Sequence, residues 1–230
     1  MKEFLTNSVF FGAVISFLGY EAGLILKKRL KLAIFNPLLI AVICVMGVLV
    51  IFQVDYESYN EGGKYISYLL TPATVCLAVP LYEQLGLLKK NFKAVVVGIL
   101  SGTLASMFSV FLLSLLFGFS HEQYVTLLPK SITTAIGMGV SQELGGIVTI
   151  TVAVIVITGV LGAILAELVF KIFRIQEPVA RGLALGTSAH AIGTSKAMEL
   201  GMVEGAMSSL AIAVAGLLTV VGASFFAELL

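Results

Sequence analysis

The residues best suited to chemistry lie in one stretch, Arg181 to Gly201. There Thr187, Ser188, His190, Thr194, Ser195 and Lys196 are interleaved with Gly182, Gly186, Gly193 and Gly201. The stretch sits between two long apolar runs, and a polar group without an internal partner costs several kcal/mol in hydrocarbon. It must therefore face protein or water, and glycine-rich, hydroxyl-bearing backbone at membrane depth is where secondary transporters hold their substrates. A second stretch of similar make-up, residues 128–146, carries Lys130, Ser131, Thr133, Thr134 and Gly137. The chemistry both offer is anion binding: a lysine neutralises a carboxylate, and hydroxyls and helix N-terminal amides donate to it.

The elements that position these residues follow from composition. Of 230 residues, 59% are hydrophobic and only 12% charged, with a mean hydropathy of +1.07; soluble domains carry about 25% charged residues. This predicts an all-α integral membrane protein, with residues 1–230 forming one polytopic domain. Its first part, residues 1–126, holds spans at 4–26, 33–52, 65–86 and 94–117, the third broken by Thr71-Pro72 and by Pro80. The run from Phe4 is followed by Lys27, Lys28 and Arg29, the wrong charge order for a signal peptide, so it reads as a retained span. Gly98, Gly102 and Ser106 recur at four-residue spacing and let another helix approach closely. The link after the second span and the segment around His121 and Glu122 read as external loops.

Basic clusters at residues 27–31, 89–93 and 171–181 ask to be cytoplasmic. That requires an odd number of crossings between residues 122 and 171, where two segments lie. Residues 147–170 cross, so residues 128–146 read as a re-entrant hairpin with its turn at Gly137-Met138-Gly139. Two arms of about eight residues reach ~12 Å each, into a core ~30 Å thick. A shift of 56 residues then aligns Ala135-Ile136-Gly137 with Ala191-Ile192-Gly193 and Glu143-Leu144-Gly145 with Glu199-Leu200-Gly201. Two units, 128–170 and 182–228, each a hairpin followed by a span, would be inverted with respect to one another. The expected architecture is about six full spans plus two re-entrant or broken hairpins whose tips, the second at Gly193, meet near the midplane.

At this point three separated strings carry a family resemblance: Thr71-Pro72-Ala73-Thr74-Val75-Cys76-Leu77-Ala78-Val79-Pro80-Leu81-Tyr82, Pro129-Lys130-Ser131-Ile132-Thr133-Thr134, and Ala189-His190-Ala191-Ile192-Gly193-Thr194-Ser195-Lys196 with Glu204 to Leu210 beyond it. They resemble the LrgB/CidB family over essentially the whole chain. The resemblance implies a multi-pass protein of the bacterial inner membrane. It also implies either transport of small monocarboxylates (glycolate, glycerate, pyruvate) or antiholin-like regulation of murein hydrolases with a small LrgA/CidA-type membrane partner.

For individual residues two readings stand side by side. Lys130 either holds an anion or snorkels to headgroups. Lys196, three residues past the presumed tip, is harder to explain by snorkelling. His190 is either a proton-coupling group or a neutral histidine bonding another helix. The hydroxyls of Ser131, Thr133, Thr134, Thr187, Ser188, Thr194 and Ser195 either bind a carboxylate or back-bond to their own helices. Thr71, Pro72, Thr74, Pro80 and Glu83 are secondary candidates for lining a cavity. Glu167 and Lys171, four apart, read as an interfacial pair. Cys44 and Cys76 read as small hydrophobes, and no metal or cofactor site, nucleophile elbow, phosphate loop or nucleic-acid footprint is present, so no enzyme is expected. A homo-oligomer is compatible with this pattern.

Overall fold

A computed structural model describes residues 8, 10–30, 35–76 and 78–230. Among the described residues the protein is all-helical, and it divides into two compact units, Met1–Cys76 and Leu77–Leu230.

The first unit holds α1 (Phe11–Leu30), α2 (Pro37–Phe52), α3 (Tyr56–Ser67) and α4 (Leu70–Cys76). Asn36 caps α2, its side chain accepting from Leu38 N at 2.9 Å, and Pro37 occupies the first turn where a missing N–H costs nothing. Asp55 caps α3 by accepting from Ser58 N at 2.9 Å. The link expected after the second span is thus a helix: the polar run Tyr56-Glu57-Ser58-Tyr59-Asn60-Glu61 hides a capped amphipathic turn. On α1, Ser16 Oγ lies 2.9 Å from Tyr59 OH and so ties α1 to α3.

The second unit opens with two short helices, α5 (Ala78–Glu83) and α6 (Leu85–Lys90). Where a single span was expected at 65–86, the described residues form α4, α5 and α6, with Pro72 in the first turn of α4 and Pro80 in the first turn of α5, where a missing N–H costs little. Three long helices follow: α7 (Phe92–Phe117), α10 (Val148–Ile172) and α12 (Met202–Ala227), each long and apolar enough to cross a membrane. They leave large apolar side chains on the outside, such as Leu104 and Phe108 of α7, Ile157 and Leu161 of α10, and Leu217 and Phe225 of α12. Uncovered apolar faces on this scale are stable against lipid, and the chain is a membrane protein. The external loop expected around His121 and Glu122 is another helix, α8 (His121–Leu127), closed by a reciprocal capping box between Ser120 and Gln123.

Both polar stretches are helical with one break each, but the breaks fall elsewhere than the glycines suggested. The first runs from α8 through a turn at residues 128–133 into α9 (Thr134–Glu143), so Gly137 and Gly139 lie inside a helix. Pro129 cannot donate a backbone hydrogen bond, and Thr133 takes the extended N-cap conformation; together these two residues, not the glycines, set the turn. Gly137 instead lets the Ile155 side chain approach. The second stretch, α11 (Pro178–Leu200), breaks at His190, whose φ of 44° and ψ of −135° are non-helical. Its halves fold back on each other: Leu185 and Ala197 share one buried cluster with Ala166 and Phe170, and Gly193 lies directly against the carbonyl of Leu185. Gly193 is therefore the close-approach point between the two halves, and the turn precedes it. Along the first half, Gly182 and Gly186 sit on α12, where a Cβ at Gly186 would lie 2.5 Å from the Ser208 carbonyl.

Candidate functional site

The turn between α8 and α9 delivers Lys130 and Ser131 to the middle of α7. Lys130 Nζ donates to Ser106 Oγ at 3.2 Å and to Ser131 Oγ at 2.9 Å, and Ser106 Oγ donates to Ser131 Oγ at 2.9 Å. Ser106 is close to the centre of the 26-residue α7, more than ~15 Å from either end at 1.5 Å per residue. An ammonium has three N–H donors. Two are used, and Lys130 has no ion-pair partner among the described residues. Ser131 Oγ accepts both bonds, and its own proton has no acceptor among the described residues. The triad therefore presents a net positive charge and two unused donors.

These donors open into a cavity of about 800 Å³ between α7 and the first half of α11. Asn91 and Glu177 lie at one end of it and Ser106, Ser109, Lys130 and Ser131 at the other, with Ser101, Gly102, Leu183, Ala184, Thr187 and Ser188 along the walls. Gly102 makes the walls possible, since a Cβ there would come within 2.7 Å of Thr187 Oγ1. The hydroxyls on the α11 wall are committed: Thr187 Oγ1 donates to Leu183 O at 2.8 Å and Ser188 Oγ to Ala184 O at 2.6 Å. They offer the cavity lone pairs and must rotate before donating to an anion.

Of the residues singled out in the sequence, the structure brings Lys130, Ser131, Thr187 and Ser188 to one cavity. Thr133 and Thr134 start α9 beside it without lining it. Gly137 and Gly193 serve helix packing. Thr194, buried, joins the two hydroxyl-bearing helices through a 2.7 Å contact with Ser208 Oγ and donates to His190 O at 3.1 Å. Ser195 is exposed on the second half of α11 and does not line the cavity. Lys196 is not an unpaired cation: it forms ion pairs with Glu167 and, at 3.3 Å, with Glu199. Glu167 thus reaches across to α11 rather than along its own helix to Lys171. His190 is 3% exposed, and its Nε2 lies 2.9 Å from Ile155 O, so the imidazole donates to a carbonyl and locks the turn onto α10. The side chains of Thr71, Thr74 and Pro80 lie outside the described residues, Pro72 is exposed in the first unit, and Glu83 is exposed and does not line the cavity. Cys44 and Cys76 are free thiols, half-buried and exposed respectively. No group of three metal-binding side chains occurs among the described residues.

The cavity-lining residue the sequence reading missed is Ser106. Its signal was visible as the last member of the Gly98, Gly102, Ser106 row, which read as a packing face only. It is a packing face up to Gly102 and a hydrogen-bonding one beyond.

The described residues thus define an all-helical membrane protein with a polar, lysine-bearing cavity at mid-helix depth. Residues 16–229 match the LrgB-like family, and the chain belongs to that family. Among its relatives are proteins named antiholin-like protein LrgB from Bacillus cereus and from Bacillus anthracis, each 38% identical over 217 residues that cover 94% of both chains. No solved structure matches.

Proposed function

We propose that this chain acts as an antiholin-like protein of the bacterial inner membrane and that its working element is a cavity through which a small organic anion reaches Lys130. The name carried by its relatives supports the first part. One observation carries the second: the ammonium of Lys130, at the centre of α7, has hydroxyl partners but no counter-charge among the described residues. A cation at that depth is costly unless something neutralises it, and a carboxylate that gains Lys130 and the Ser131 hydroxyl recovers much of its lost hydration. Small monocarboxylates of the glycolate, glycerate or pyruvate kind fit the single charge and the hydroxylated walls.

In this reading the two broken stretches are re-entrant hairpins of an inverted repeat. The turn at 128–133 and the turn at His190 approach the middle of the membrane from opposite faces, and α7 spans the gap, touching Thr187 through Gly102 and Lys130 through Ser106. Basic residues at the ends of α1, α6 and α10 face the cytoplasm, and the full set of about six spans includes α1, α2 and the α4–α6 segment. Alternating exposure of the cavity follows if the α11 wall moves against α7.

Counterflow of labelled pyruvate, glycolate and glycerate in liposomes holding the purified chain, with and without an LrgA/CidA-type partner, tests the transport part. Accumulation by the chain and none by empty liposomes supports it. No counterflow in either condition removes it and leaves regulation of murein hydrolases, to be read from autolysis rates in cells lacking the gene.

A further inference from the structure

A second polar pocket lies at the C-terminal end of α10, and the anion cavity does not account for it. It has a volume of about 430 Å³ and is bordered by Lys171, Arg174 and Arg181, with Glu167 the one acidic side chain on its wall. That carboxylate already pairs with Lys196, so the pocket keeps an excess of positive charge. Lys171 and Arg174 are exposed and have no ion-pair partner among the described residues. Arg181 is held in place, its Nε donating to Ile175 O at 2.8 Å and its guanidinium lying 5.7 Å from the centre of the Phe170 ring. Its two terminal nitrogens have no hydrogen-bond partner among the described residues.

The backbone supplies an independent observation. After α10 the chain closes with the Ile175 N–H donating to Phe170 O at 2.8 Å, and Arg174 occupies the left-handed position of this cap with a φ of 55°. Glycine is the residue that stabilises such a cap best. The chain holds an arginine there instead, against its own backbone preference, and that arginine borders the pocket.

We propose that this pocket binds a phosphate ester, supplied either by an anionic phospholipid headgroup or by a free phosphate compound. Arg181 gives the fixed, planar pair of donors that a phosphate oxygen edge requires, and Arg174 and Lys171 close over it as mobile charges. Basic pockets between helices at a membrane surface take headgroups in this way, with roughly fivefold in affinity for each charge near the surface.

The test uses the full purified chain, stripped of co-purified lipid and offered phosphatidylglycerol, with phosphatidylcholine as the neutral control, and retained lipid counted by native mass spectrometry. The parent should retain phosphatidylglycerol in preference. Arg174→Gly should lower retention about fivefold while melting no lower than the parent, because glycine suits the cap, and adding Lys171→Gln should lower retention about fivefold again. Lys89→Gln with Lys90→Gln, outside the pocket, should leave retention unchanged. A parallel melting series with inorganic phosphate distinguishes the sources: stabilisation by phosphate, lost in the same pocket variants, assigns a free phosphate compound, and its absence alongside lipid retention assigns the headgroup. The proposal is overturned if neither probe binds the parent, if the pocket variants bind as the parent does, or if the Lys89 and Lys90 variant loses as much.

Discussion

The Nε2 of His190 donates a 2.9 Å hydrogen bond to the carbonyl oxygen of Ile155, thirty-five residues earlier in the chain. Gly159, one turn along α10, leaves room for the ring, since a Cβ there would sit 2.6 Å from the imidazole. The break in α11 and the smooth face of α10 are thus one feature made by two helices.

If this bond locks the turn, His190→Ala should destabilise the protein by about 1–3 kcal/mol, from the lost buried hydrogen bond together with the cavity left by the imidazole. Thermal unfolding in detergent measures it. Unfolding at the parent temperature would show that the turn is held by other contacts.

Gly137 and Gly193, the two glycines at the expected hairpin tips, should differ sharply. A Cβ at Gly137 would clash with the tip of the Ile155 side chain, which can rotate away, and would meet the Pro129 carbonyl at an ordinary 3.5 Å, whereas a Cβ at Gly193 would clash with the backbone carbonyl of Leu185. Gly137→Ala should cost about 1 kcal/mol or less and Gly193→Ala about 3 kcal/mol or more, read from unfolding midpoints. Equal effects would contradict the folded-back geometry of α11.

How far the fold and site could be read from the sequence follows from such positions. The helical class, the three long apolar helices and the two polar broken stretches were visible because composition and hydroxyl content alone identify them. The turns were misplaced because glycine serves both as a turn former and as a contact point, and in α9 and α11 it serves as the second. Histidine is among the residues that tolerate positive φ, which is how His190 can hold the break. The α3 helix was missed because it is short and polar, though Asp55 with Ser58 marked its start. Lys196 looked like the stronger site candidate because its partner, Glu167, is 29 positions away in the chain and belongs to another helix.

Lys196 should accordingly prove structural. Lys196→Met leaves Glu167 and Glu199 without their shared cation, so stability should fall by about 1 kcal/mol, as for a partly exposed pair, while anion uptake persists. Loss of uptake with an unchanged melting temperature would move Lys196 back into the site.

The membrane orientation of the two hairpins can be checked with single cysteines, after Cys44 and Cys76 are replaced. Cysteines at Ser58 and Gln123 should react with an impermeant thiol reagent from outside, and one at Gln176 only after the membrane is opened. Labelling of Gln176 and Gln123 from the same side would mean that residues 128–146 cross fully and that the hairpins are not inverted.

Lys130 is the residue proposed to draw a small carboxylate into the cavity. Ser188 lines that cavity on the α11 wall, opposite the lysine-bearing turn. A cysteine at Ser188 should be protected from a small thiol reagent by pyruvate, glycolate or glycerate, with a saturable concentration dependence. Adding Lys130→Met should abolish the protection while the cysteine stays reactive, and Lys130→Arg should retain part of it. Protection that persists undiminished with methionine at position 130, or none by any of the three acids in the parent, would contradict the account.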